Sequence, residues 1–238
     1  MSTPAWLSRV KLDWSRFEEA SRVSRDIVEE LAANRPLLRA LVLKAAESGQ
    51  LRMMAEKHNE LNYIVLYDAL DRGLRVRLHK FTHGLEDIPH NHRFSFSSAI
   101  LSGSYVHTMF QLDRASEGAQ RELEWRLDQP PGSYVGRVDE MHLVGLTTLL
   151  TTTQSAGSSY SMHHEAVHKT AMPVSDAYSV FVRGPAQKPC SLQLAPDKRA
   201  YRWKFGREQE SADVVSDRVM SPAEYDQFVE GLEAAAVI

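Results

Sequence analysis

Cysteine is nearly absent: Cys190 is the only one among 238 residues. A lone cysteine excludes an intramolecular disulfide and any cysteine-rich zinc site, and it suits the reducing cytoplasm expected here. Cys190 follows Lys188-Pro189 in a stretch that reads as a loop, and it is taken as incidental. An excess of positive charge is missing too. With 28 Lys and Arg against 31 Asp and Glu the formal net charge is −3. The cations are scattered, which argues against nucleic acid and anionic lipid as partners. Long apolar runs are also lacking. Residues 37–46 are interrupted by Arg39 and Lys44, far short of a membrane span, and MSTPAWLSRVKLDW has no apolar core of the signal-peptide kind. What is present is an ordinary globular composition, 43% hydrophobic and 25% charged, at a length one β-barrel domain can use.

The first 60 residues read as helical. Asp13 is placed to cap a helix with Phe17, Ala20, Val23, Ile27 and Leu31 near one face. Pro36 suits the first turn of a second helix carrying Leu37, Leu38, Leu41, Val42 and Ala45, which Ser48-Gly49 would end. Such a pair fits a cap over a barrel mouth, a dimer contact or a DNA-binding unit, and without a basic stripe packing or dimerisation is preferred. From residue 62 the pattern turns to short runs rich in Val, Ile, Thr, Tyr and Phe. Residues 63–67 and 74–79 form a hairpin around Asp71-Arg72-Gly73, and further strands are expected at 95–101, 105–112, 122–127, 134–138, 142–153, 159–164 and 178–183. Many short strands with regular turn signals predict a sandwich or jelly roll. At the end, Ser221-Pro222-Ala223-Glu224 opens a helix with Tyr225, Phe228, Val229 and Leu232 on one stripe. The organisation expected is a single domain: a helical segment 1–60, a β-barrel core 61–195, and an extension 196–238 with its helix.

Ten histidines stand in the chain, seven of them in two groups: His79, His83, His90 and His92, then His163, His164 and His168. Neutral imidazole combines metal affinity with tolerance of apolar surroundings, so clustered histidines on strands flag a metal. His90 and His92 are spaced i, i+2. On a strand both leave by one face with Cα atoms roughly 6.5–7 Å apart, close enough to share an ion. Gly84 and Pro89 precede them and Gly103 follows, where a strand must turn. A third ligand is sought in His168, within GSSYSMHHEAVHKT, or alternatively in His142, within PPGSYVGRVDEMHLV.

The run GLEDIPHNHRFSFSSAILSG resembles the first motif of the cupin superfamily, Gly-x5-His-x-His-x3,4-Glu-x6-Gly, except that Phe96 or Ser97 stands at the glutamate. The resemblance spans about residues 63–185. The stretch PHNHRFSFSSAILSGSYVHTMF is further similar to the thiol dioxygenase branch, which includes cysteine dioxygenase, lacks that glutamate and holds iron on three histidines; no cysteine takes the glutamate's place here. The resemblance implies a mainly β, cupin jelly-roll barrel with N-terminal helices and a C-terminal helix. It implies a metal on His90, His92 and His168, Fe(II) foremost, with Zn, Ni, Cu or Mn as alternatives. It also implies an oxygenase that uses O2 on a small thiol- or amino-acid-like substrate. Two other readings stay open: a non-redox isomerase, lyase or cyclase, and a ligand-binding barrel without chemistry. Cupins often dimerise, so a homodimer is a further expectation.

Residues 164–168 also spell H-E-x-x-H, the zinc protease signature. That motif works only on a helix, and the glycine and serines upstream and Pro173 downstream argue against one. Arg75, Arg77 and His79 alternate with Leu74, Val76 and Leu78. Strand charges ordinarily face solvent; turned into the barrel mouth, these arginines would clamp a substrate carboxylate. Tyr105, His107 and Tyr160 are candidate pocket-lining or catalytic residues, and Arg93 is left open because its parity is opposite to that of the ligands.

Overall fold

The computed structural model describes residues 4–58, 61–112, 146–172, 175–194, 201–205 and 212–238. Three helices lead: α1 (Phe17–Ala33), α2 (Arg35–Ala46) and the short α3 (Gly49–Arg52). Ten strands follow: β1 (Leu61–Ala69), β2 (Leu74–Phe81), β3 (Phe96–Ser102), β4 (Ser104–Leu112), β5 (Leu146–Ser155), β6 (Ser159–Met162), β7 (Val167–Ala171), β8 (Ala177–Arg183), β9 (Cys190–Leu194) and β10 (Tyr201–Phe205). Helices α4 (Ala212–Arg218) and α5 (Pro222–Ala234) close the chain.

The helix signals resolve unevenly. Asp13 does not cap α1; its carboxylate accepts from the backbone N–H and hydroxyl of Ser15, and the helix opens four residues later behind Arg16. Asn34 caps α2 by accepting from the Leu37 N–H at 3.1 Å, with Pro36 in the first turn. Ser48 does not end that helix but caps α3. The capping box at Ser221 and Glu224 is complete, each side chain accepting from the other's backbone N–H.

All strand pairs are antiparallel and form two main sheets. One has the order β1-β2-β8-β3-β6 and the other β5-β4-β7. Residues 84–92 extend the second sheet, exchanging backbone bonds with β7 and reaching β9 through Asn91 and Leu192. Non-consecutive neighbours such as β2-β8-β3 are the crossovers of a jelly roll. The sheets face each other: Phe81 on β2 packs 5.2 Å from Tyr105 on β4, and the hydroxyls of Tyr105 and Tyr160 lie 2.8 Å apart. The fold is therefore mainly β, a cupin-type jelly roll with flanking helices.

The other face of the five-stranded sheet carries the main core. Leu74, Val76 and Leu78 of β2 and Val180 and Val182 of β8 pack against Ile27, Val28 and Leu31 of α1, Leu38 and Leu41 of α2, and Phe228 and Leu232 of α5. The apolar stripes of the helices are thus used against this sheet. Gly103 forms the β3–β4 turn at φ +74°, where a Cβ would lie 2.3 Å from the Asp176 carbonyl oxygen. Only glycine serves there.

Several expectations change. Strands β7, β9 and β10 and helix α4 were not anticipated, and Cys190 is a buried residue at the start of β9 and not a loop residue. The expected strands at 122–127 and 134–138, and His142, lie outside the described residues. No helix among the described residues is long and apolar enough to cross a membrane.

Candidate metal centre

His90 and His92 sit just before β3 and not on a strand. Their segment is extended all the same, because Pro89 disfavours helical backbone before it and residue 90 pairs with β7. The His90 N–H donates to the His168 carbonyl and the His168 N–H to the His90 carbonyl, both at 2.8 Å. This mutual pair places a histidine from near the middle of the chain opposite one almost eighty residues later. His168 lies on β7 at the step facing Met109 of β4, and it is buried.

The three imidazoles converge, with one ring nitrogen of each within 4.8 Å of the others. The Nε2 atoms of His92 and His168 are 2.8 Å apart. Two ligand nitrogens at a right angle around an ion, each about 2.1 Å away, would stand about 3 Å apart. The second nitrogens of His90 and His168 are engaged elsewhere. His90 donates from Nδ1 to the Ile88 carbonyl at 2.8 Å, with an Asp87 carboxylate oxygen 3.2 Å away, so its Nε2 keeps a lone pair. His168 Nδ1 lies 2.9 Å from Nε2 of His107; donating there, it too presents a lone pair at Nε2. Burial holds His168 well below the usual histidine range, and burial followed by the charge of His90 brings His107 down to about 4. Both rings are neutral at physiological pH, as metal ligation and its support require. The donor set, three imidazole nitrogens and no carboxylate, fits a divalent transition metal.

Phe96 occupies the missing glutamate's neighbourhood, its ring 4.9 Å from His92 and 6.3 Å from His168. Tyr160 packs 4.9 Å from His107 and 6.0 Å from Phe96. Burial pushes Tyr160 up to about 12 and raises Tyr105 as well, so their paired hydroxyls stay protonated. His107 thus touches a histidine of the group, while Tyr105 and Tyr160 lie behind it.

The H-E-x-x-H segment is no helix: a turn covers it and His168 belongs to β7. His164 points to Ser95 instead, its Nδ1 3.2 Å from the hydroxyl. His83 pairs with Asp176 at 2.8 Å, and His58 donates to Glu56 at 3.1 Å. Of the two histidine groups read in the sequence, therefore, only one member of the second joins the first.

A cavity of about 980 Å³ opens at His90 and His92 and is lined by Arg75, Arg77, Arg93 and Arg183. The expectation that Arg75 and Arg77 face solvent is overturned. Leu74, Val76 and Leu78 are taken up by the helices, which leaves the alternate residues to point between the sheets. Arg75 is held by Asp68 at 2.8 and 3.0 Å, and Arg77 lies 4.0 Å over the Tyr63 ring. Arg183, at the end of the buried strand β8, was not singled out in the sequence. Its pairing with Arg75 across the β2–β8 ladder is the signal, and that signal needs the register.

The chain is thus a jelly-roll barrel with a three-histidine group at the mouth of an arginine-lined cavity. No family model and no curated protein matches the sequence. Solved structures that align with it are cupin folds. An RmlC-like cupin from Shewanella frigidimarina NCIMB 400 is 15% identical over 60% of this chain and 91% of its own, with a TM-score of 0.36. KdgF from Halomonas sp. is 12% identical over 56% and 88%, at 0.35. A cupin-like protein of unknown function from Ralstonia eutropha JMP134 is 13% identical over 74% and 76%, at 0.36. Likeness this slight carries nothing about chemistry, which has to come from the site itself.

Proposed function

We propose that the protein is a metal-dependent oxygenase of the thiol dioxygenase type, with Fe(II) held by His90, His92 and His168, acting on a small chelating metabolite with O2. The observation that carries this reading is the convergence of three imidazoles whose other ring nitrogens are tied to Ile88 and His107 or turned away from the shared point. Three neutral ligands leave a ferrous ion its full charge and open positions for a chelating substrate beside O2. The chain's own part is to hold the rings, keep His107 neutral and shield one flank with Phe96. The cavity arginines supply the field for an anionic substrate.

Metal analysis of purified wild-type protein beside four alanine variants tests the site. His90→Ala, His92→Ala and His168→Ala are each expected to lose the metal, and His142→Ala to keep it. Oxygen uptake by iron-loaded protein offered chelating thiols and amino acids then tests the chemistry. Full metal retention in His168→Ala, or iron-loaded protein that never consumes oxygen, would overturn the respective part.

The buried hydroxyl pair of Tyr105 and Tyr160, fixed as proton donors beside His107, favours a second reading: a non-redox lyase or isomerase using the ion as Lewis acid. Turnover in the absence of oxygen, kept when zinc replaces iron, would select it.

A further inference from the structure

The cavity at the histidines carries far more positive than negative charge. Five arginines line it (Arg75, Arg77, Arg93, Arg183 and Arg218) against two carboxylates, Glu56 and Asp87. Part of this charge has a local account: Asp68 takes Arg75 bidentately, and Glu56 is engaged by His58. Arg77 and Arg183 differ. Arg183 is buried and Arg77 half-buried with its Nε enclosed, and among the described residues neither has a carboxylate in ion-pair range.

Their geometry is built. Arg183 is the cross-strand partner of Arg75, and Arg77 is the next inward residue along β2, so Arg77 and Arg183 are diagonal neighbours about 7–8 Å apart at the backbone. Each guanidinium plane is fixed on a ring, Arg77 at 4.0 Å over Tyr63 and Arg183 at 3.9 Å over Phe94. The Nε of Arg183 donates to the Gly184 carbonyl at 2.9 Å. The buried Nε of Arg77 has no hydrogen-bond partner among the described residues. Two adjacent cations repel each other, and an orphaned guanidinium donor is costly to bury. An anion between them removes both penalties. A carboxylate offers two oxygens and is filled by one guanidinium fork, whereas a phosphoryl group offers three and accommodates two forks. The cavity volume also exceeds what a single amino acid fills and lies at the upper end for larger ligands.

We propose that Arg77 and Arg183 form a phosphoryl-binding site, so that the molecule taken by this cavity is a phosphate monoester with its other end at His90 and His92. The assignment of the reacting end rests on the metal reading above; the anion site itself does not.

Calorimetric titration of inorganic phosphate into wild-type protein, Arg77→Gln, Arg183→Gln and His90→Ala tests this, with metal content measured in each and malonate, acetate and chloride as comparison ions. Phosphate is expected to bind wild type and His90→Ala alike and to weaken roughly 10- to 100-fold in either arginine variant. The arginine variants should keep their metal, and malonate and acetate should bind wild type at least about tenfold more weakly than phosphate. Binding lost in His90→Ala would place the phosphate on the metal and overturn the site, as would binding indifferent to both arginines. Should a glutamine variant fail to fold, the ion series on the wild-type chain decides: phosphate ahead of malonate supports the proposal, and malonate equal to or ahead of phosphate overturns it. Absent phosphate binding with metal retained would sink the anion site alone, while absent metal with phosphate bound would sink the metal reading alone.

Discussion

The two faces of the five-stranded sheet are built from alternate residues of the same strands, yet their chemistry is opposite. Along β2, Leu74, Val76 and Leu78 go to the helices, while Arg75, Arg77 and His79 go between the sheets. Along β8, Val180 and Val182 contrast in the same way with Ser179, Phe181 and Arg183. Both faces are buried, so the usual rule of one wet and one dry face does not apply. The helix face gains stability from apolar area removed from water. The inner face gives some of it up: the His79 Nε2, Ser179 Oγ and Arg77 Nε atoms are buried without hydrogen-bond partners among the described residues. Local violations of good packing of this kind concentrate where a fold keeps groups for a ligand.

The largest test of this contrast is on the helix face. Leu78→Ala should destabilise the protein by about 2–5 kcal/mol, as emptied core sites do, with metal content per folded molecule unchanged; chemical denaturation with metal analysis measures both. An effect below about 1 kcal/mol would mean that this face is not the main core.

The next effect is one of pH at the cavity wall. Burial alone would raise the Glu56 carboxyl, but hydrogen bonds from His58 and Tyr63 and the charge of Arg77 outweigh it and bring it to about 2. Because the folded value lies below the ordinary 4.5, the unfolded chain binds the proton first. This contribution is complete above pH 4.5 and is lost as pH falls toward 2, by up to about 3 kcal/mol. Melting curves of wild type and Glu56→Gln across that window should converge at the acid end, and parallel curves would refute the role of Glu56.

The smallest effect should be close to neutral. Arg77→Met keeps the aliphatic stem and removes a repulsive charge beside Arg183 together with a favourable one beside Glu56, so stability should change by no more than roughly 1 kcal/mol. A clear loss in thermal melts would show that Arg77 is structural and erase the distinction between the faces.

The parts legible in the sequence were those with short-range signals. The capping box at Ser221 works within four residues, and the hairpin of β1 and β2 shows in its alternation and in Gly73. The pair His90 and His92 was legible from its frame of Gly84, Pro89 and Gly103, although the strand expected beneath it is an extended segment held by β7. Strand β7 itself was missed, because VHKTA is short and mixed in character and pairs with residues far away in the chain.

What the sequence alone determined was parity and local geometry: which residues of a strand travel together, where the chain turns, and which two imidazoles stand side by side. Only the tertiary structure decided the sign of that parity and the partners across the barrel. Alternation with period two says that Arg75 and Arg77 share a face but is unchanged when the strand is flipped. The helices lying on Leu74, Val76 and Leu78 break that symmetry and turn the arginines inward beside Arg183, while the backbone pairing of residue 90 with β7 brings His168 to the first two histidines.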